Sequence, residues 1–283
     1  MSSPSSRCQA QPLSLAMAAG LASRTPHWLL YATSRVGGAL HYWMSPEKRR
    51  NYLANTRSLP SPGRHRPWHA FQNQALNALE LLRAMARGAG DTHVDLSRRC
   101  EQTVRTALGD GNGLILTTMH TGNWELSGLA LALRGFPVTT VAGVQLRPTW
   151  SDQVRVLKER AGIKVAGPGA GARELLRDLR ANRVVALHLD GNLFTGGFEV
   201  LFLNRRVRVP RGPAHLSRLT GAPIAVAFSR RRSRRHLELI VEDPYPPPAT
   251  ADEEHSLTQR LVSRVEHRIA EAPGQWCIFR RIE

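Results

Sequence analysis

His120, Asn123 and Glu125 place a base, a helix cap and a carboxylate within six consecutive positions. The apolar run Leu114-Ile115-Leu116-Thr117-Thr118-Met119 leads into His120, and Thr121-Gly122-Asn123-Trp124-Glu125 follows as a turn and a helix start. On one ideal helix, residues five apart lie roughly 140° apart around the axis and do not meet. The pair meets if His120 closes the strand side of the turn and Glu125 sits in the first turn of the next helix. Asn123 then caps that helix, and Leu126, Leu129, Ala130 and Leu133 form its apolar stripe. A carboxylate beside an imidazole fixes the ring's tautomer and stabilises its charged form, which suits a base that deprotonates an alcohol. The plainer account is a glutamate placed favourably at a helix start, with no chemistry attached. No His-Glu-x-x-His and no Gly-x-Ser-x-Gly occurs, so neither a zinc protease helix nor a nucleophile elbow is expected, and no metal ligand is assigned.

The segment resembles the His-x4-Asp/Glu motif of membrane-associated acyltransferases. It is most similar to the bacterial lipid A lauroyl/myristoyl acyltransferase family, which includes phosphatidylinositol mannoside acyltransferases. Further pieces follow in the family's order from about residue 46 onward. They are Arg50-Asn51-Tyr52-Leu53-Ala54-Asn55, Leu187-His188-Leu189-Asp190, Phe198-Glu199-Val200-Leu201-Phe202-Leu203, Arg208-Val209-Pro210-Arg211-Gly212-Pro213-Ala214, Thr220-Gly221-Ala222-Pro223 and Pro273-Gly274-Gln275-Trp276. Gly191 stands where the family usually has Gln. The resemblance implies transfer of a fatty acyl chain from an acyl thioester to a hydroxyl of a lipid or glycolipid, with His120 as base and Glu125 orienting it. Acyl-coenzyme A or acyl-carrier protein would be the co-substrate, and no resident cofactor is implied.

Other residues then become candidates. Glu199, beside a strand after a glycine-containing turn, is a second carboxylate for His120, or else a solvated strand residue. Asp190 ends an apolar strand, where α/β sheets place ligand-facing groups. With Asn123, Lys158, Arg160, Arg208 and Arg211 it forms the predicted substrate-binding set, the cations receiving donor or acceptor phosphates. Relatives carry an arginine where Lys158 or Arg160 stands, and the sequence leaves open which of the two matches. Backbone N–H groups at the start of helix 124–134 are candidate oxyanion donors.

The elements that must position these residues alternate. Strands are expected at 114–119, 138–144, 163–166, 184–189, 199–203, 223–228 and 237–242. Helices are expected at 124–134, 149–161, 171–181, 211–220 and 253–271. This is an α/β layered domain with a largely parallel mixed sheet flanked by helices. Before it come helices starting at Pro46, around Phe71 to Ala86, and at Leu96 to Leu108. Residues 1–45 read as a disordered start followed by amphipathic, membrane-associating helices, and 46–283 as the acyltransferase domain. The segment Trp28 to Trp43 carries Leu29, Ala32, Val36, Leu40 and Trp43 at helical spacing. Such a stripe lies in a bilayer interface or packs on its own domain, and pattern alone does not choose. No stretch is long enough to span a membrane, and no cleavable signal peptide is expected.

The chain holds 39 Lys and Arg against 22 Asp and Glu, a net charge of +17. That excess attracts anionic membrane lipid, acyl-carrier protein or coenzyme A phosphates. Aromatic content is only 6% and no helix has groove-reading spacing, so no specific nucleic-acid partner is expected. Cys8, Cys100 and Cys277 are scattered and read as thiols of a reducing compartment. Together these place the protein on the cytoplasmic face of the inner membrane, peripherally bound. Two alternatives stand beside this reading: a dinucleotide-binding oxidoreductase using the loop Gly167 to Ala172, and a basic membrane- or nucleic-acid-binding protein without catalysis.

Overall fold

In the computed structural model, residues 13–59, 66–91, 93–141, 148–167, 171–190 and 197–282 are described. Helices open the chain: α1 (Leu13–Arg24), α2 (His27–Met44), α3 (Pro46–Thr56) and α4 (Trp68–Arg87). Pro26 and Pro46 set the breaks, since proline is tolerated at a helix start and not inside one. The remaining elements alternate: β1 (Val94–Leu96), α5 (Arg98–Gly109), β2 (Leu114–Thr118), α6 (Trp124–Leu133), β3 (Val138–Val141), α7 (Pro148–Arg160), β4 (Lys164–Ala166), α8 (Ala172–Arg180) and β5 (Val184–His188). Then come β6 (Phe198–Phe202), β7 (Arg205–Val209), α9 (Gly212–Thr220), β8 (Ile224–Arg231), β9 (Leu237–Val241) and α10 (Ala251–Glu271).

Seven strands form one sheet in the order β1-β9-β8-β2-β5-β3-β4, parallel from β8 through β4. Strand β9 pairs antiparallel with β8, and β1 runs parallel to β9. Central strand β2 is apolar on both sides because helices cover both faces, and Leu114, Ile115 and Leu116 are all buried. Helices α8, α9 and α10 cover one face, and α5, α6 and α7 the other. The hairpin β6–β7 stands apart as a two-stranded sheet against α10. Strand β1 and the strand character of β7 were not expected from sequence, and the helix expected from Leu96 begins at Arg98, capped by Ser97.

Helices α1 and α2 pack on α4. Gly38 makes the α2–α4 crossing possible, because a Cβ there would sit 2.4 Å from the Gln72 Cα. Only one side of these helices is used. Leu30, Ser34, Gly38 and Tyr42 turn inward, whereas Trp28, Val36, Leu40 and Trp43 are mostly exposed. No helix among the described residues is long and apolar enough to cross a membrane. Part of the expected strand 138–144, the tail Met1 to Gln11 with Cys8, and Gly191 lie outside the described residues.

Candidate active site

Strands β2 and β5 are neighbours, with Thr118 beside His188. Each chain continues two residues past that rung, to His120 and Asp190. The two therefore meet at the carboxyl edge of the sheet, where α/β folds gather ligand-facing groups. His120 Nδ1 lies 2.8 Å from Asp190 Oδ1, and the His120 backbone N–H donates to Asp190 Oδ2 at 2.7 Å. The Trp276 indole N–H donates to the same Oδ2 at 2.8 Å. Asp190 is 0% exposed, while the His120 side chain retains 19%. Burial alone would push the Asp190 carboxyl up, but the His120 ring beside it and these hydrogen bonds bring it down to about 2. Asp190 is thus ionised and accepts only, so His120 carries its proton on Nδ1 and a lone pair on Nε2.

The loop is held from behind. The Cys277 N–H donates to the His120 carbonyl at 2.8 Å, and Gly122 N–H donates to the Gln275 carbonyl. Gly122 has φ +56, and a Cβ there would meet the Ser229 carbonyl oxygen at 2.5 Å, so the turn demands glycine. The closing segment is fixed in turn by α3. Tyr52 Oη donates to the Pro273 carbonyl at 2.7 Å, and Asn55 to the Arg280 carbonyl at 2.8 Å. The asparagine-rich helix and the Pro-Gly-Gln-Trp segment, more than 200 residues apart in sequence, are two halves of one clamp.

His188 is a member of the site that sequence reasoning did not single out. Its ring stacks on His120 at 4.0 Å and 17°, and its Nδ1 lies 3.0 Å from Thr118 Oγ1. Burial above all holds its pKa well below the ordinary value, so it stays neutral. Trp124 meets His120 edge-on at 4.9 Å. His120, His188 and Asp190 bring possible metal-ligand atoms within 4.8 Å of one another. Both Asp190 oxygens already accept bonds, and the imidazoles lie face to face, so their in-plane lone pairs do not converge on one point. The donor set suits a proton relay better than a cation. Cys277 is also close, but burial pushes its thiol up to about 12, which removes it as a nucleophile.

The other expected residues separate into those at the site and those away from it. Glu125 does not face His120; its carboxylate lies 2.6 Å from Lys158 Nζ, both groups partly buried. As the second residue of α6, it projects toward α7 and not back over the turn. Lys158 is therefore the cation at the site, and Arg160 lies exposed at the end of α7. Glu199 is 54% exposed and pairs with Arg206 across the hairpin at 3.1 Å. The carboxylate against His120 is Asp190, not Glu125 or Glu199. Asp190, expected to contact substrate, is instead sealed behind the histidine. Asn123 caps α6 and donates to Glu80 Oε2 at 2.9 Å inside a buried polar group, away from any substrate surface. Arg208 is exposed on β7, and Arg211 lies over Phe198 with one nitrogen 3.5 Å from buried Glu254. In the loop Gly167 to Ala172, positions 168–170 lie outside the described residues. Asp190, which ends the next strand about 20 residues on and would be the acid of such a dinucleotide fingerprint, is bonded to His120.

A narrow cavity of about 70 Å³ begins beside His188, Trp124 and the Glu125–Lys158 pair. It continues under α6 between Leu116, Leu131, Val138, Ile163 and Leu239. Its polar end lies at His188, the ring stacked on His120, and the rest of its wall is apolar.

Residues 69–282 match the family described as bacterial lipid A biosynthesis acyltransferase. Among curated proteins, a phosphatidylinositol mannoside acyltransferase of Mycobacterium tuberculosis (strain CDC 1551 / Oshkosh) is 32% identical over 227 residues, covering 77% of this chain and 66% of that protein. The protein of the same description from strain H37Rv matches equally. One from Mycolicibacterium smegmatis is 31% identical over 180 residues, 60% of this chain and 57% of its own length. The chain thus spans just under two thirds of the length of the relatives it matches best among these.

Proposed function

Because the chain belongs to the bacterial lipid A biosynthesis acyltransferase family, we propose that it moves a fatty acyl chain from an acyl thioester to a hydroxyl of a lipid or glycolipid, with His120 as the base. The observation that carries this reading is the Asp190–His120 pair: a fully buried, ionised carboxylate holds the ring so that Nε2 is the basic atom. Nε2 takes the acceptor hydroxyl's proton as the oxygen attacks the thioester carbonyl carbon. Asp190 stabilises the imidazolium that forms. The tetrahedral oxyanion collapses, the C–S bond breaks, and the imidazolium returns the proton to the leaving thiolate.

The oxyanion donors are read from the start of α6. The N–H groups of Gly122 and Asn123 already bond to Gln275 and Ser229. Those of Trp124 and Glu125, the first two helical residues, have no partner within the helix by geometry. The acyl chain enters the cavity under α6. The Lys158 ammonium at its mouth, anchored by Glu125, faces the donor's phosphate in either an acyl-coenzyme A or an acyl-carrier-protein thioester. The exposed stripe of α2, Leu29, Ala32, Val36, Leu40 and Trp43, lies in the bilayer interface with the exposed side of α1, while a different side of α2, with Leu30 and Tyr42, packs on α4. The phosphatidylinositol mannoside acyltransferases among its relatives favour a glycolipid acceptor. The net charge of +17 favours the anionic cytoplasmic leaflet for this peripheral position.

The test is incubation of the purified chain with labelled long-chain acyl-coenzyme A, acyl-carrier-protein thioester and a bacterial lipid extract, with products read by mass spectrometry. His120→Ala runs alongside. The expected result is an acylated lipid whose formation falls by about 10²- to 10⁴-fold in a variant that unfolds at the parent's temperature. Near-normal turnover in folded His120→Ala protein would sink the mechanism.

A further inference from the structure

A second cavity lies beside the acyl-transfer centre. It measures about 820 Å³ and is walled by α2, α4, the β8–β9 turn, the end of α10 and the segment Pro273–Gln275. Neither His120 nor Asp190 lines it; Gln275 faces this cavity while the next residue, Trp276, holds Asp190.

Its chemistry is cationic. Arg35 and Arg234 both place guanidinium groups over the Tyr31 ring, at 6.0 and 4.9 Å. Neither has a carboxylate partner among the described residues. Arg232 and His267 add further basic groups, paired with Glu238 and Glu271. Glu271 is a carboxylate on the wall, and it is shared among Arg230, His267 and Arg268. Arg231, only 7% exposed, forms the floor with two nitrogens on Glu80 and Asn77. Its Nε is buried and has no partner. Gln72, on the same wall, gives its amide N–H to the Arg35 carbonyl and leaves a buried Oε1 without a donor. Unused buried donors and acceptors cost free energy unless something fills them. With Gln72 Oε1 and Arg231 Nε sealed in the wall, the groups the pocket offers a solute are the Arg35 and Arg234 guanidinium N–H groups, which match an oxyanion.

The site's setting selects the occupant. Tyr31, Ser34 and Arg35 enter the cavity from α2, and the other side of that helix exposes Trp28, Val36, Leu40 and Trp43. An apolar helix face beside a basic pocket places the pocket at headgroup depth when that face meets a bilayer. The volume of about 820 Å³ suits a lipid headgroup. We propose that this cavity binds the phosphodiester headgroup of a membrane lipid, at a site separate from the acyl-transfer centre. The proposal rests on bilayer docking by α1 and α2 and is independent of the chemistry at His120.

Sedimentation of the full chain with vesicles of phosphatidylcholine, with and without phosphatidylglycerol, tests it. Arg35→Gln/Arg234→Gln is compared with Arg173→Gln/Arg180→Gln, which removes equal charge from the exposed side of α8. The pocket pair is expected to lose at least tenfold in affinity for the anionic vesicles, the α8 pair less than threefold, and glycerophosphoglycerol should compete with the parent. Equal losses in both pairs, or none in the pocket pair, would overturn the site and leave diffuse charge as the cause. Inorganic phosphate competing as well as glycerophosphoglycerol would make it a free-phosphate site and overturn the lipid reading. Weakened binding of acyl-carrier protein with vesicle binding intact would also overturn it. Repeating the series on a His120→Ala background separates the outcome from the acyl-transfer reading, since vesicle binding needs no turnover.

Discussion

Asp190 and Glu254 are both fully buried carboxylates, each with a histidine Nδ1 in hydrogen-bond range, His120 at 2.8 Å and His215 at 3.0 Å. Their other partners differ. Glu254 also receives Arg218 Nε at 2.5 Å and Arg211 at 3.5 Å, so its charge is more than matched and it ties α9 to α10. Asp190 receives a backbone N–H and an indole N–H, both neutral, so among the described residues the histidine is its one ionisable bonding partner. Its negative charge is left to act on that ring. A histidine–carboxylate distance therefore does not identify a catalytic base; what else the carboxylate must satisfy does.

The sharpest way to break this comparison is to neutralise each carboxylate. Asp190→Asn should cut turnover by about 10²- to 10⁴-fold, as the ring loses the charge that stabilises its protonated form, with the fold retained. Glu254→Gln should cost about 1–3 kcal/mol in denaturant unfolding by removing charged hydrogen bonds to partly exposed cations, with turnover of the folded fraction close to the parent's. Finding the reverse pattern would overturn the assignment of roles. A smaller effect separates the two regions by pH. His188 is held neutral by burial, so the unfolded chain binds an extra proton below about pH 6.5 and stability falls as pH drops from there, by up to about 1.4 kcal/mol per unit. His188→Gln should flatten that loss between pH 7 and 5. Asp190 and Glu254, held below the usual carboxylate range against burial that raises them, give stability that is complete above their unfolded values and lost only at more acid pH. A His188→Gln protein with the parent's pH slope would place the acid sensitivity elsewhere. The smallest effect belongs to Glu199→Gln, which removes an exposed pair with Arg206 and should change stability by less than about 1 kcal/mol and leave turnover unchanged. A large loss of turnover would mean that the β6–β7 hairpin reaches His120 during the reaction.

The sheet was legible because its central strands are continuous apolar runs ending in turn residues, and β2, β5 and β8 lie within a few residues of their expected places. Strand β1 was not, because three residues ending at Leu96 merge with the apolar pattern of α5. Strand β7 was not legible either, because Arg205, Arg206 and Arg208 mask the alternation of Val207 and Val209. His120 was legible from its place at the end of an apolar run. Its partner was not, because Asp190 is 70 residues away. The usable signal was that two apolar runs end at the same height on neighbouring parallel strands, which requires the strand order as well as the strands. Glu125 misled because proximity in sequence stood in for direction, and a side chain at a helix start follows the helix.

The clamp behind His120 also sets a schedule for making the protein. Trp276 follows His120 by 156 residues, and its indole completes the cradle of Asp190. At about 5–20 residues per second, a ribosome needs roughly 8–30 s to reach it after the histidine has been made. For the first 70 of those residues Asp190 itself is missing, and for the remaining 86 it lacks the indole, so the nascent chain carries the base without the frame that aims it.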